Sequence, residues 1–298
     1  MTASGRIQVI INPVSGRGAV RRLVSELCQL LIAEGIRVTI DQTQGPGQAA
    51  ELAQRAELAG CRAIIVVGGD GTINDTVGGL SESPPPLLIV PAGTENILAK
   101  HFRTRKDAEW LKRVVLAGRT AELDVPTANG RRFLMVSGVG FDAECVRRVT
   151  LARRGRITYA HYFLPIWRAF WSYKHPMLTV EADGARVFEG QGLAIVGNVR
   201  RYAWGLQPAL RAVPDDGLLD VIVCPCTWQG PLLMHALRTI VRRQLTSKVV
   251  YKQARHIRIA TEQEAAVQVD GDWGGLTPME YEMSGRRARF LVGPEYAG

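Results

Sequence analysis

Cysteine is scarce in this chain, and acids are outnumbered by bases. The five cysteines, Cys28, Cys61, Cys145, Cys224 and Cys226, are scattered without a Cys-x-x-Cys pair, and the five histidines show no ligand spacing. A disulfide framework and a structural zinc site are therefore excluded from the expected architecture. No apolar run approaches the ~18 residues of a membrane-spanning helix. The opening stretch MTASGRIQVIINPVSG has only a short apolar segment before turn residues, so it reads as a first strand and not as a signal peptide. Internal repeats and low-complexity tracts are also missing, and only the segment from Ser81 to Pro86 is rich in proline.

What is present is an ordinary globular composition with an excess of positive charge. The 298 residues, 46% hydrophobic and 22% charged, suffice for two compact domains with a sizeable core. Against 28 Asp and Glu stand 37 Lys and Arg, a formal charge of +9. A pI near 9.6 points to an anionic partner: nucleic acid, a nucleotide or an acidic membrane surface.

The first ~120 residues alternate β-branched runs with helical patterns, as βαβ units of a mostly parallel sheet do. Strands are expected at Ile7 to Ile11, Arg37 to Asp41, Ala63 to Val67 and Leu87 to Val90. Helices are expected at Ala19 to Ala33, Gly47 to Ala59 and Ile73 to Leu80. Beyond Glu122 most segments read as short strands: Phe133 to Val139, Met177 to Ala182, Leu193 to Asn198, Leu219 to Cys224, His256 to Ala260, Val267 to Asp270 and Ala288 to Val292. Two helical patterns interrupt them, around Tyr159 to Tyr173 and from Gln229 to Leu245. The expected domains are 1–122, α/β, and 123–298, β-rich, with the last strand a candidate to return to the first domain.

Three expected strand ends run into turn-rich loops, Asn12 to Gly18, Gly68 to Asn74 and Pro91 to Asn96, all at the carboxyl edge where open α/β sheets bind ligands. In Gly68-Gly69-Asp70-Gly71-Thr72 the glycines permit positive φ and close backbone approach, and the helix that follows offers amides to a phosphate. Thr72 can cap that helix or bind a ligand oxygen, whereas Asp70 suits an anion only with a metal or a hydroxyl beside it. The spacing is neither G-x-G-x-x-G nor G-x-x-x-x-G-K-[ST]. A tight strand-to-helix turn is the competing explanation, outweighed by three such loops on one edge.

With those motifs in order, the chain resembles the diacylglycerol kinase catalytic-domain family, the bacterial soluble lipid kinases in particular. The match runs through Asn12-Pro-x-Ser-Gly16, Gly68 to Asn74, Pro91-x-Gly-Thr-x-Asn96, Ser137-Gly-Val-Gly-Phe-Asp142, Gly197-Asn198, Pro214 to Asp220 and Asp270-Gly271-Asp272. The resemblance implies a three-layer α/β domain of the NAD kinase and phosphofructokinase type, followed by a β-rich sandwich domain. It implies an ATP-dependent kinase acting on a lipid hydroxyl, with nucleotide in the cleft facing the β-rich domain. Nucleotide contacts would come from Asn12, Ser15, Gly16, Thr43, Gly68, Gly69, Asp70, Gly71, Thr72, Ile73, Asn74, Gly93, Thr94 and Asn96. Asp270 would accept the proton of the attacking hydroxyl, with Asp70 and Asp272 holding or orienting catalytic Mg2+ directly or through water. A structural Mg2+ is implied at Asp216 with the backbone carbonyls of Val213 and Leu218.

The same residues also read as turns, since Asp-Gly is a strong hairpin signal at Asp270-Gly271 and Asp215-Asp216-Gly217 is a turn by spacing alone. Three positions depart from the family's usual residues: Asp75 and Asp272 stand where Glu is common, and Ile97 where an acid is. Tyr159, Phe163, Trp167 and Phe170 recur at helical spacing, which reads as packing with a basic rim able to touch anionic lipid. Arg238, Arg242 and Arg243 read as a solvated face.

The leading expectation is thus a cytoplasmic kinase of a lipid alcohol that visits an anionic membrane. Nucleic acid is not an expected partner, because no recognised module is present and the charge is scattered. A homodimer is left open. An NAD kinase, a phosphofructokinase-like sugar kinase and a catalytically degenerate nucleotide-binding or lipid-binding protein are the alternatives.

Overall fold

The computed structural model describes residues 5–15, 18–152, 170–202, 205–241 and 248–296. Contacts divide the chain into two units, one running to Leu123 and resuming at Arg286, the other spanning Asp124–Gly285. The first contains β1 (Arg6–Ile11), α1 (Gly18–Ala33), β2 (Arg37–Gln42), α2 (Gln48–Leu58), β3 (Ala63–Gly68), α3 (Asp70–Gly78), β4 (Leu87–Pro91), α4 (Ile97–His101), α5 (Ala108–Ala117) and β5 (Thr120–Asp124). The second contains β6 (Thr127–Ala128), β7 (Arg131–Arg132), β8 (Val136–Val139), α6 (Phe141–Ala152), β9 (Met177–Ala182), β10 (Ala185–Gly197), β11 (Leu219–Pro225), α7 (Gln229–Val241), β12 (Val250–Ala254), β13 (His256–Thr261), β14 (Ala266–Val269), β15 (Asp272–Leu276) and β16 (Met279–Glu282). A last strand, β17 (Arg287–Leu291), lies in the first unit's sheet.

That sheet has the order β2-β1-β3-β4-β17-β5. β1 pairs in parallel with β2 on one side and β3 on the other, so the chain leaves β1 and β3 in opposite directions. This is the topological switch point at which open α/β sheets leave a crevice. β3 and β4 are buried along their whole length, which is why they read as unbroken apolar runs. Ile7, Val9, Ile65, Val67, Leu88 and Val90 pack with α1 and α5. The alternate residues Ile10, Ile64, Val66, Leu87 and Ile89 are buried too and belong to the other face, while α2 packs against α3. The result is the expected three-layer arrangement.

In the second unit β10 is the connecting element. Its first half pairs with β9 and its second half with β8 and β11, so one strand serves two antiparallel sheet layers. The crossing falls at glycines: Gly190 has φ +152, and a Cβ on Gly192 would meet the Cys224 carbonyl oxygen at 2.6 Å. Between the layers lie Phe133, Val180, Val196, Val221, Ile257, Val267 and Tyr281.

Several boundaries differ from expectation. The second unit ends at Gly285 and not at residue 298, because β17 takes the parallel position beside β4, with Phe290 opposite Leu87. α3 begins at Asp70, three residues before the apolar periodicity, because extended Gly69 serves as its N-cap. α4, α5 and α6 were not anticipated, although Asp107 caps α5 by accepting from the Trp110 amide at 2.6 Å. Of the two later helical patterns, Gln229–Val241 is seen, whereas Arg242, Arg243, Tyr159, Phe163 and Trp167 lie outside the described residues. Phe170 is buried against Phe141, with ring centroids 4.9 Å apart.

The returning strand is integral to the first unit: Phe290 is fully buried and stacks on Phe102 at 4.7 Å. Phe290→Ala is expected to lower stability by about 3–5 kcal/mol in urea unfolding. A loss under about 1 kcal/mol would show that β17 is dispensable.

Candidate functional site

The three carboxyl-edge loops of the first unit are bound to one another through main chain and short polar side chains. Asn12 accepts the Val14 amide at 3.1 Å, and its Nδ2 donates to Thr72 Oγ1 at 3.1 Å, which joins the first loop to the second. Gly16 lies outside the described residues. The second and third loops meet backbone to backbone: a Cβ on Gly93 would lie 2.6 Å from Gly69 Cα, and one on Gly68 would strike Thr72 at 2.6 Å. None of Gly68, Gly69 and Gly93 has positive φ, so close approach alone is what requires glycine there, whereas a Cβ on Gly71 would meet nothing within 4 Å.

Asp70 completes the knot. Its Oδ2 accepts the Ile97 amide at 2.9 Å and its Oδ1 the Leu98 amide at 3.1 Å, capping α4 from a different loop. Burial pushes its carboxyl up, and those two amides pull it back down. Asn96, at φ 49, accepts from the Gly93 amide at 2.8 Å and donates to its carbonyl at 2.7 Å, closing the Gly93-Thr94-Glu95 turn and leaving Thr94 exposed. An α-helix leaves its first N–H groups without intrahelical partners; in α3 these belong to Asp70 and Gly71. Ile73 is buried at 1% exposure and its amide is already on the Gly69 carbonyl, so neither its side chain nor its N–H is offered to a ligand, and Thr43 is likewise buried, its amide on the Ile11 carbonyl. Asp75 accepts the Ala49 amide at 3.2 Å and so caps α2.

In the second unit Asp270 and Gly271, at φ 52 and φ 83, form the two-residue turn between β14 and β15. Both central residues being left-handed marks the type I′ hairpin. The Asp270 carboxylate accepts three amides, from Leu134 at 2.7 Å, Met135 at 2.9 Å and Val136 at 3.0 Å. Asp272 stands outside this amide cage with its side chain 59% exposed, 3.4 Å from Arg131.

Behind the hairpin lies a polar group that spacing did not single out. Gln268 accepts the Gly271 amide at 2.8 Å and donates toward Asp142 at 3.4 Å, while Tyr202 donates to Asp142 at 3.0 Å. Asp142 Oδ1 is buried without a partner, and burial drives its carboxyl upward. A Cβ on Gly138 would meet Asp142 Oδ2 at 2.0 Å, which accounts for the glycine in Ser137-Gly138.

The acidic turn lies within the same network. Buried Asn198 donates to the carbonyls of Asp124 and Leu134 at 2.8 and 2.9 Å, and Asp124 in turn accepts the Gly217 amide at 2.7 Å. Leu218 donates to Asp216 at 2.9 Å. Asp216 is pushed up by burial and by neighbouring Asp124 and Asp215. Asp220, fully buried, rises to about 6 through burial with Asp216 adding to it, against the hydrogen bond from Tyr251. Its Oδ2 has no partner. The acids crowd one another electrostatically without converging on a point: among the described residues they form no group of three ligand atoms within 4.8 Å, so Asp216, raised and partly exposed, is the one suited to meet a hard cation. Asp220 closes the Pro214 to Asp220 stretch already quoted from the sequence, whereas Asp124 became visible only through its contacts.

The model of the diacylglycerol kinase catalytic domain matches residues 6–128, and that of the YegS C-terminal NAD kinase beta sandwich-like domain matches residues 135–291. A diacylglycerol kinase of Bacillus subtilis (strain 168) is 24% identical over 284 residues, 93% of this chain and 92% of the relative. One from Staphylococcus aureus (strain JH9) is 26% identical over 281 residues, 93% and 89% of the two chains. A solved structure of a diacylglycerol kinase from Bacillus anthracis str. Sterne shares the fold, with TM-score 0.74, 23% identity and 98% of each chain covered.

Two outcomes test this geometry. Gly93→Ala is expected to cost about 1–3 kcal/mol in urea unfolding, because the methyl must displace the Gly69 backbone; no loss would mean that the loops are not in contact. Asp220, raised from 3.8 to about 6, contributes stability that is present below pH 3.8 and lost as pH rises through about 6. Between those pH values the wild type should lose up to about 3 kcal/mol relative to Asp220→Asn, and less with a divalent cation added. A difference that does not vary with pH would contradict a buried titrating carboxylate.

Proposed function

The chain belongs to the diacylglycerol kinase catalytic-domain family and is a lipid kinase, and from that premise we propose that it transfers the γ-phosphoryl group of Mg-ATP to a hydroxyl of a lipid alcohol such as diacylglycerol. The observation that carries this reading is the knot of three loops at the switch point, where the N-terminus of α3 offers backbone amides to phosphate oxygens. Gly68, Gly69 and Gly71 would let the phosphates approach the main chain, and Thr94 would contribute its exposed hydroxyl. Asn12, Thr72 and Asn96 would act by fixing the loops, since their polar atoms are engaged within them.

Bound Mg2+ neutralises charge on the transferring phosphoryl group. Asp70 would orient it, using the lone pairs left after α4 is capped. A second Mg2+ at Asp216, with the carbonyls of Val213 and Leu218, would relieve the repulsion among Asp124, Asp216 and Asp220. Through Asn198 it would brace the segment whose amides hold Asp270.

We propose a redistribution of the roles expected in Asp270-Gly271-Asp272, for which the hydrogen bonds of Asp270 are the support. Three amides make Asp270 the anchor of the turn, and Asp272, outside the cage, is the carboxylate we assign to the proton of the attacking hydroxyl. The enzyme would work in the cytoplasm, at the surface of an anionic membrane.

Transfer of labelled γ-phosphate to a panel of lipid alcohols in mixed micelles, with NAD and fructose 6-phosphate alongside, tests the reaction. A labelled lipid is expected; label in NAD or the sugar alone would overturn the proposal. Asp272→Asn is expected to lower turnover roughly 10²–10⁴-fold with ATP affinity and stability preserved, whereas Asp270→Asn should lose stability as well. Near-normal turnover in Asp272→Asn, with Asp270→Asn folded and inactive, would return the base to Asp270.

A further inference from the structure

Helix α7 turns an apolar face to solvent. Leu233, Met234 and Leu237 are 42%, 52% and 56% exposed, and Arg238 is exposed beside them. At 3.6 residues per turn these positions share one side of the helix, and Gly230 lies on that same side one turn earlier. There Trp228 folds back: a Cβ on Gly230 would meet the indole at 1.9 Å, so the 59% exposed ring lies along this face. His235, on the opposite side, is buried. Gln229 donates to the Tyr173 carbonyl at 2.8 Å, and two residues before Tyr173 stands Trp171, 48% exposed.

An apolar patch of this kind marks an interaction surface, and its charge selects the partner. From Asp220 to Glu262 the intervening chain carries seven Lys and Arg, Arg238 among them, and no Asp or Glu. α7 itself carries Arg238 and no acid, so a second copy docking through the same face would bring the arginine of each copy to a surface with no carboxylate on the helix to pair it. An anionic bilayer instead neutralises it, at on the order of 1 kcal/mol per nearby Lys or Arg.

We propose that the Trp228, Leu233, Met234 and Leu237 face of α7 docks the protein on an anionic lipid bilayer. Leu233, Met234 and Leu237 enter the boundary between headgroups and acyl chains, Trp228 lies at headgroup level, and Arg238 runs its stem along the apolar surface to reach phosphates. With 13 residues α7 is too short to cross a bilayer, so it lies in the interface plane. The proposal rests on the reading that the acceptor is a lipid, and it adds the surface that brings the enzyme to that lipid.

The test compares the full chain with the double variant Leu233→Gln, Leu237→Gln, both positions being exposed, after equal urea midpoints have been established. Cosedimentation without ATP on phosphatidylcholine vesicles, with and without phosphatidylglycerol, reads binding alone. Phosphorylation is then read on vesicle-embedded diacylglycerol and on a short-chain, water-soluble diacylglycerol. The variant is expected to partition onto anionic vesicles at least about tenfold less, to lose activity on embedded substrate in proportion, and to keep short-chain turnover. Unchanged partitioning overturns the proposal while short-chain turnover still supports a lipid kinase. Lost self-association with unchanged partitioning assigns the face to a second copy. No phosphorylated lipid in either form removes the kinase reading and leaves the vesicle result to stand or fall by itself.

Discussion

The carboxylate of Asp70 accepts the amides of Ile97 and Leu98, and through them the loop after β3 is pinned to the helix after β4. A charge held half-buried against two backbone donors resists displacement, since leaving either amide without a partner costs on the order of 1–3 kcal/mol. This fixes the distance between two loops whose glycines touch at Gly69 and Gly93, and the Asn12 to Thr72 bond adds the third loop. The N-terminus of α3 is therefore presented by a braced edge, which is what binding a flexible polyphosphate without reorganisation requires.

The second unit applies the same device. Asp270 takes three amides from the segment that starts β8, and Asn198 holds that segment's Leu134 carbonyl together with Asp124. A carboxylate that gathers backbone donors converts a loop of otherwise soft dihedrals into a rigid presenter of its neighbour, here Asp272. The acidic turn around Asp216 and Asp220 is the converse case. Its carboxylates repel one another under burial, which raises Asp216 and Asp220 together and, under the proposed function, is what a bound divalent cation would relieve.

Much of this was legible in the sequence. Unbroken runs such as AIIVV announced β3, and the turn residues after β1, β3 and β4 announced the three loops that meet at the carboxyl edge. Asp-Gly announced the hairpin at Asp270. Less legible was anything set by long-range contact. β10 continues through Arg186 to Gln191 because β9 pairs with it, though those residues alternate poorly and Leu193 onward alone looked like a strand. Asp70 read as an acid beside a ligand, and it caps a helix remote in sequence, as does Asp75, which had stood out only as an acid where Glu is common. Asp142, Tyr202 and Gln268 are separated by some sixty residues each and meet only in the folded unit. Isolated polar residues carry no periodicity, so only their partners reveal them.

The account stands or falls on Asp70 as the brace of the three carboxyl-edge loops proposed to hold nucleotide. The direct measurement is calorimetric titration of Asp70→Asn with Mg-ATP, alongside its urea unfolding. An asparagine keeps the shape but can satisfy the two amides only in part, so the account predicts weaker ATP binding and lower stability together. A variant with wild-type stability and ATP affinity that has lost only turnover would contradict it, leaving Asp70 as a catalytic group and not the brace.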